Sequence, residues 1–172
     1  GLSDVQLAIE SVFEDRAVKQ DVIGRICAAL PAGVLIGSNT SGLPITSLAA
    51  YSDRQDAFIG LHFFSPAERM PLVEIIRGEA TGDAAWAHAL DFVGALRKTP
   101  ITVNDGPGFF TSRFIGSFVT ASLAMLDEGV KPDRSYRVLL DEGGRMYWVT
   151  EDGGKPLRYD VDPLSTFWQR LN

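Results

Sequence analysis

The sequence predicts an α/β fold, and three observations carry that reading. Short apolar runs of strand length alternate with amphipathic stretches of helical period, and Pro and Gly punctuate the joins between them. The third is that 45% of the 172 residues are hydrophobic, enough to bury a core in a chain of this size.

The elements follow in order. Val5, Leu7 and Ile9 alternate as in a strand across residues 1–9. From Val12 to Leu30 the positions Val18, Val22, Ile23, Ile26, Cys27 and Leu30 keep the helical period, and Ser11 with Glu14 has the Ser-x-x-Glu spacing of a capping box. Pro31 closes that helix, and residues 33–37 form the next strand, which delivers Ser38, Asn39, Thr40 and Ser41 to a strand end. Polar side chains placed there could cap a short turn over residues 44–49, or serve a ligand. After a polar loop at 52–56 come a buried strand over 57–64, a reversal over 65–69 and a second strand over 71–76 with Leu72, Glu74 and Ile76 on one face. Residues 82–97 read as a helix whose buried stripe is Trp86, Leu90, Val93 and Leu96, with His88 solvated. Another strand at 99–103 turns at Asn104-Asp-Gly-Pro-Gly into a long helix through Phe109, Phe110, Phe114, Phe118 and Leu126 to Gly129. Beyond Val130, residues 145–150 and 155–160 flank Glu-Asp-Gly-Gly as a β-hairpin, and a short helix ends the chain.

Composition narrows the function. Sixteen Lys and Arg against 22 Asp and Glu give a net charge of −6, which argues against a general nucleic-acid or anionic-membrane binder. The single cysteine excludes an internal disulfide, and Cys27 on an apolar helix face reads as a buried thiol in a reducing compartment. No apolar run reaches membrane-spanning length and no signal segment opens the chain, so the expectation is a cytoplasmic protein. No metal site is expected.

The chemistry centres on residues 60–74, where two adjoining strands carry one histidine and one carboxylate. His62 and Glu74 can meet across the turn; a carboxylate on one ring nitrogen fixes the tautomer and leaves the other nitrogen to take a proton. A core histidine satisfied by a backbone carbonyl is the alternative.

Four segments occur in register: Ser38-Asn-Thr-Ser41, Gly60-Leu-His-Phe-Phe-Ser-Pro66, Met70-Pro-Leu-Val-Glu74 and Asn104-Asp-Gly-Pro-Gly-Phe-Phe110. Together they closely resemble the L-3-hydroxyacyl-CoA dehydrogenase family, in the form found in multifunctional fatty-acid oxidation proteins, over residues 2–130 or so. The resemblance implies a partial Rossmann-like, dinucleotide-binding sheet with flanking helices, to which the C-terminal hairpin and short helix are added. Its domains would be the second half of the NAD-binding domain at 1–106, the first helix of a helical domain at 107–130 and an unrelated tail at 131–172. The implied reaction is NAD-dependent oxidation of a (3S)-hydroxyacyl-CoA to the 3-ketoacyl-CoA, with His62 as base and Glu74 orienting it. Carried over residue by residue, Ser41, Ser65 and Ser112 bind the acyl-CoA substrate, and Glu14, Lys19 and Asn39 lie at the nicotinamide end of NAD. Ser112 stands where the family has an Asn, and its shorter side chain has less reach.

Two features pull the other way. The Gly-x-Gly-x-x-Gly loop that cradles a pyrophosphate does not occur in these residues. The segment from Tyr147 to Arg170 faintly resembles the extreme C-terminus of phospholipase D-like enzymes, without their His-Lys-Asp motif. The expectation is therefore that the isolated chain has little dehydrogenase activity and that its open sheet edge is offered to a second copy or a missing-domain partner. A non-catalytic, truncated or fused interaction module is the alternative.

Overall fold

The computed structural model describes residues 4–129 and the backbone of three later strands, Tyr136–Leu140, Met146–Thr150 and Leu157–Arg158. The chain divides into two compact units, Gly1–Ser112 and Arg113–Asn172.

The first unit is a five-stranded mixed sheet, which bears out the α/β class. Its strands are β1 (Leu7–Glu10), β2 (Leu35–Ser38), β3 (Phe58–Phe63), β4 (Leu72–Arg77) and β5 (Thr99–Asn104), lying side by side in chain order. β1, β2 and β3 are parallel, β4 is antiparallel to β3, and β5 is parallel to β4. Parallel neighbours need crossovers, and α1 (Arg16–Ala29), α2 (Ile45–Ala49) and α3 (Asp83–Ala95) supply them.

The strand alternation splits the core between the two faces. Ile36, Phe58 and Ile76 face one way, where Ile23 of α1 and Ile45, Leu48 and Ala49 of α2 pack with Phe109. Leu35, Ile59, Leu61, Val73 and Ile75 face the other way, onto Ala85, Ala89 and Val93 of α3. His62 and Glu74 therefore lie on the α1/α2 face. Gly60, two residues before His62, is fixed by that packing: a Cβ there would stand 2.7 Å from Ile45 Cδ1 and 2.9 Å from Ile76 Cβ. Only a bare backbone lets α2 approach so closely.

Several boundaries differ from the sequence reading. α1 begins at Arg16, and its N-cap is Asp15, whose carboxylate accepts from Val18 N at 3.0 Å. The Ser11–Glu14 capping box does not form, because Glu14 is drawn to a loop on the neighbouring strand. Lys19 and Ile23 are the buried residues of this helix, whereas Val18 is exposed. Cys27 is half-buried, with Sγ 3.5 Å from Ser52 Oγ, rather than fully enclosed. In α3 the buried stripe is the small set Ala85, Ala89 and Val93, at a spacing of four, while Trp86 and Leu90 are half-buried and Leu96 is exposed. The expected polar loop at 52–56 holds a buried staple: Arg54 donates to the Cys27 carbonyl at 3.0 Å and to those of Leu30 and Pro31, closing the open end of α1. The Arg54 hydrogen bond lowers the Asp53 carboxyl below its ordinary value.

The second unit contains most of α4 (Thr111–Asp127) and a three-stranded antiparallel sheet. β7 (Met146–Thr150) pairs with β8 (Leu157–Arg158) as the expected hairpin, through Tyr147 with Arg158 and Trp148 with Leu157. β6 (Tyr136–Leu140), which pairs with β7, was not anticipated. The expected C-terminal helix lies outside the described residues. Within α4, Ser117, Ala121 and Met125 are buried at a spacing of four. Among the described residues no helix is long and apolar enough to cross a membrane, and no cluster of three or more His, Cys, Asp or Glu could hold a metal ion.

Candidate active site

Antiparallel register sets His62 directly opposite Glu74 on neighbouring strands, with both side chains on one face. Nδ1 of His62 lies 2.7 Å from Oε2 of Glu74, and both residues are buried. Glu74 is fully enclosed, a situation that would raise a carboxyl, yet its pKa is held below the ordinary value. Burial is outweighed by the bond to His62 and by the backbone N–H and hydroxyl of Thr111. An ionised carboxylate only accepts, so Nδ1 carries the proton and, in the neutral ring, Nε2 carries the lone pair. Among the described residues Nε2 has no hydrogen-bond partner. The ring is packed by Phe64, centroid to centroid 4.5 Å, and by Phe109 at 6.0 Å.

The segment after β5 brings Phe109 there. Asp105 accepts from the backbone N–H groups of Ile45 and Thr46, both at 2.8 Å, and so supplies α2 with the cap that Pro44 cannot give. Gly108, at φ 73°, donates to the Gly42 carbonyl at 3.0 Å. Phe109 follows at φ 47°, a conformation bulky residues rarely adopt, and its burial in the α1/α2 core offsets that strain. The turn aims the N–H groups of Phe110 and Thr111 at Glu74 Oε1, 3.2 and 2.8 Å away.

A second polar cluster lies at the carboxyl ends of β1 and β2. Lys19, with no exposed surface, donates to both oxygens of buried Glu10 at 2.9 and 3.0 Å and to the Val12 carbonyl at 3.3 Å. Ser38 donates to the same carboxylate. Glu14 stands further out, its Oε2 3.6 Å from Lys19 Nζ and its side chain 42% exposed. Its Oε1 accepts from the Thr40 hydroxyl and from the N–H groups of Ser41 and Gly42 at 3.1 and 3.0 Å, which shapes the loop after β2.

The residues singled out from sequence thus fall into separate groups. His62 and Glu74 are bonded to each other. Glu14, Ser41 and Ser112 are linked through one loop, since the Ser112 hydroxyl donates to the Ser41 carbonyl at 3.1 Å. Asn39 is tied beside the histidine: its Oδ1 accepts from Phe63 N at 2.8 Å and its Nδ2 donates to Ser11 Oγ at 2.9 Å. Ser65 lies on the exposed turn after β3 and is bonded to none of the others among the described residues. Lys19 has no exposed surface: its ammonium group is held by Glu10 and the Val12 carbonyl, with Glu14 Oε2 3.6 Å away on its outer side. Glu10 and Thr111 were missed, and Ser38 and Thr40 were placed at the strand end without a role of their own; the visible signal was a carboxylate ending an apolar strand at Glu10, while Thr111 left none.

Carboxyl ends of parallel strands are where open α/β sheets take nucleotides. The polar cluster of Glu10, Lys19, Ser38 and Glu14 lies at those ends of β1 and β2; no glycine-rich phosphate loop is among these residues. Fold and site together define the dinucleotide-binding α/β class.

The comparisons narrow that class. The family model for the 3-hydroxyacyl-CoA dehydrogenase NAD binding domain matches residues 1–106, and the chain belongs to that family. A fatty acid oxidation complex subunit alpha from Shewanella frigidimarina is 36% identical over 156 residues, 89% of this chain and 22% of the relative. A subunit of the same description from Idiomarina loihiensis is 41% identical over 129 residues, 75% of this chain and 18% of the relative. The chain therefore spans about a fifth of the length of these curated relatives. Coverage of 89% also carries the Shewanella match past Val130, where the motif resemblance ends. Among solved structures, (S)-3-hydroxybutyryl-CoA dehydrogenase from Ralstonia eutropha superposes with a TM-score of 0.74 at 37% identity, over 77% of this chain and 47% of that one. NAD is the cofactor this family binds.

Proposed function

We propose that this chain carries the proton-transfer half of a dehydrogenase site that oxidises a (3S)-hydroxyacyl-CoA to the 3-ketoacyl-CoA. The observation that carries the proposal is a buried histidine with Nδ1 fixed 2.7 Å from Glu74 and Nε2 without a partner among the described residues. When bound, NAD supplies the hydride acceptor. His62 Nε2 takes the hydroxyl proton, and Glu74 stabilises the imidazolium that results. Ser41, exposed on the loop that Glu14 shapes, holds the substrate oxygen, with Ser65 and Ser112 at the margins of the substrate site. Glu14 and Asn39 frame the nicotinamide end, and Lys19 supports Glu14 from behind. The single cysteine and the family's metabolic role make the cytoplasm the setting we propose.

A fluorescence titration with NADH, followed by an assay with NADH and acetoacetyl-CoA, tests this reading. Micromolar NADH binding supports it, and no binding supports a non-catalytic module. That second reading rests on β1, which pairs only with β2 among the described residues and carries half-buried Leu7, Ala8 and Ile9. Such an edge can take a strand from a second copy or from a partner domain. Sedimentation velocity across a concentration series separates a self-associating chain from a monomer awaiting its partner.

A further inference from the structure

We propose that Thr111 is a positioning residue of this site, holding the Glu74 carboxylate in the orientation that keeps Oε2 on His62 Nδ1. The proposal rests on the His62–Glu74 reading above. Four donors surround this carboxylate. Oε1 takes the N–H groups of Phe110 and Thr111, and Oε2 takes the Thr111 hydroxyl at 2.7 Å and the histidine at 2.7 Å. A buried carboxylate has about four acceptor positions, so all are filled and the side chain has no alternative hydrogen-bonding pose.

Two of the four donors come from one residue, which reaches both oxygens at once. Thr111 is the first residue of α4, where a hydroxyl ordinarily turns back to its own helix. Here it turns away, to a strand 37 positions earlier in the chain. The positive end of the helix dipole adds to the attraction for the negative carboxylate. Without the hydroxyl, Oε2 keeps only the histidine, and the carboxylate gains freedom to rotate about Oε1. Thr111 touches neither substrate nor cofactor; it acts through Glu74.

The test uses the full chain labelled with ¹³C at the glutamate carboxyls, with the Glu74 signal identified by its loss in Glu74→Gln. Thr111→Val keeps the shape and the backbone N–H and removes only the hydroxyl. The expected result is a rise in the Glu74 titration midpoint on the order of one pH unit, with loss of the sharp, downfield Nδ1 proton signal of His62. Thr111→Ser restores both. An unchanged Glu74 midpoint in Thr111→Val overturns the proposal; if that variant does not fold, Thr111→Ala decides by the same readout. A shifted midpoint in a chain that binds no NADH removes the dehydrogenase reading and leaves the positioning role. Normal NADH-linked turnover with an unshifted midpoint does the reverse.

Discussion

Two buried acid–base pairs lie at the same end of the parallel strands, and they differ in one respect. Lys19 and Glu10 satisfy each other and are closed off by Val12 and Ser38. His62 and Glu74 are equally buried, but every bond in their network converges on Glu74 and leaves Nε2 of the histidine without a partner among the described residues. Burial and charge are common to both, so neither marks the chemistry. The mark is an atom able to accept a proton, backed by a network that fixes everything behind it. The first pair closes its own hydrogen bonds; the second leaves one nitrogen open for the proposed proton transfer.

The largest effect expected from that contrast is kinetic. In a dehydrogenase site of the kind proposed, His62→Gln should lower kcat by about 10²–10⁴-fold while KM for the acyl-CoA moves little, since general-base catalysis contributes on that scale. Steady-state kinetics decides it, and a change confined to KM would reduce His62 to a binding residue.

Next in size is a loss of fold rather than of chemistry. Lys19→Met strands the Glu10 carboxylate in the interior, and breaking a buried pair on one side costs about 3–5 kcal/mol. Urea unfolding should show it, while Lys19→Met combined with Glu10→Leu should recover much of the loss. If the single variant were as stable as the parent, the Lys19 pair would not be the structural anchor described here.

A third expectation concerns acid. The folded Glu74 carboxyl sits below its ordinary value of 4.5, so between the two values the unfolded chain binds the extra proton. Its contribution is whole above about pH 4.5 and is lost as the pH falls through the lower, folded value, at about 1.4 kcal/mol for each unit of separation. Glu74→Gln should flatten the stability profile in that window. Parallel profiles for the two proteins would assign acid sensitivity to other carboxylates.

The two pairs were unequally legible in the sequence. His62 and Glu74 could be read because strand alternation and a short turn bring them together, and a local pattern of period two survives folding intact. The five strands were visible for the same reason, apolar runs set off by Gly and Pro. The burial of Lys19 was not legible because helical period alone put Val18 and Val22 on the inner face; a lysine goes inside only when a carboxylate waits there, and Glu10 arrives from a different element. Glu14 matched the capping-box spacing, yet its Oε1 is claimed by Thr40, Ser41 and Gly42, more than 25 positions away, and no local rule weighs that competition. Thr111 depends on a turn through Gly108 and Phe109 at positive φ, whose direction the letters do not give.

The smallest effect sharpens the comparison at its structural end, since the first turns of α1 are what deliver Lys19 to Glu10. Two residues compete for the role of cap, and they make different forecasts. If Asp15 caps the helix, as its bond to Val18 N at 3.0 Å requires, Asp15→Ala should cost about 1 kcal/mol, the usual loss of an N-cap side chain. Ser11→Ala removes only an exposed hydrogen bond from Asn39, at 2.9 Å, and should cost less than about 0.5 kcal/mol. Thermal or urea unfolding of both variants under one set of conditions separates the two. The reverse ranking would restore the Ser11–Glu14 capping box and move the start of α1 back toward Val12. Glu14 would then be drawn to Ser11 and away from the loop at Ser41, and the Lys19 pair would be held from a different first turn. Equal, small losses would instead mean that the core contact of Ile23 and the Glu10 bond hold this helix without help from its cap.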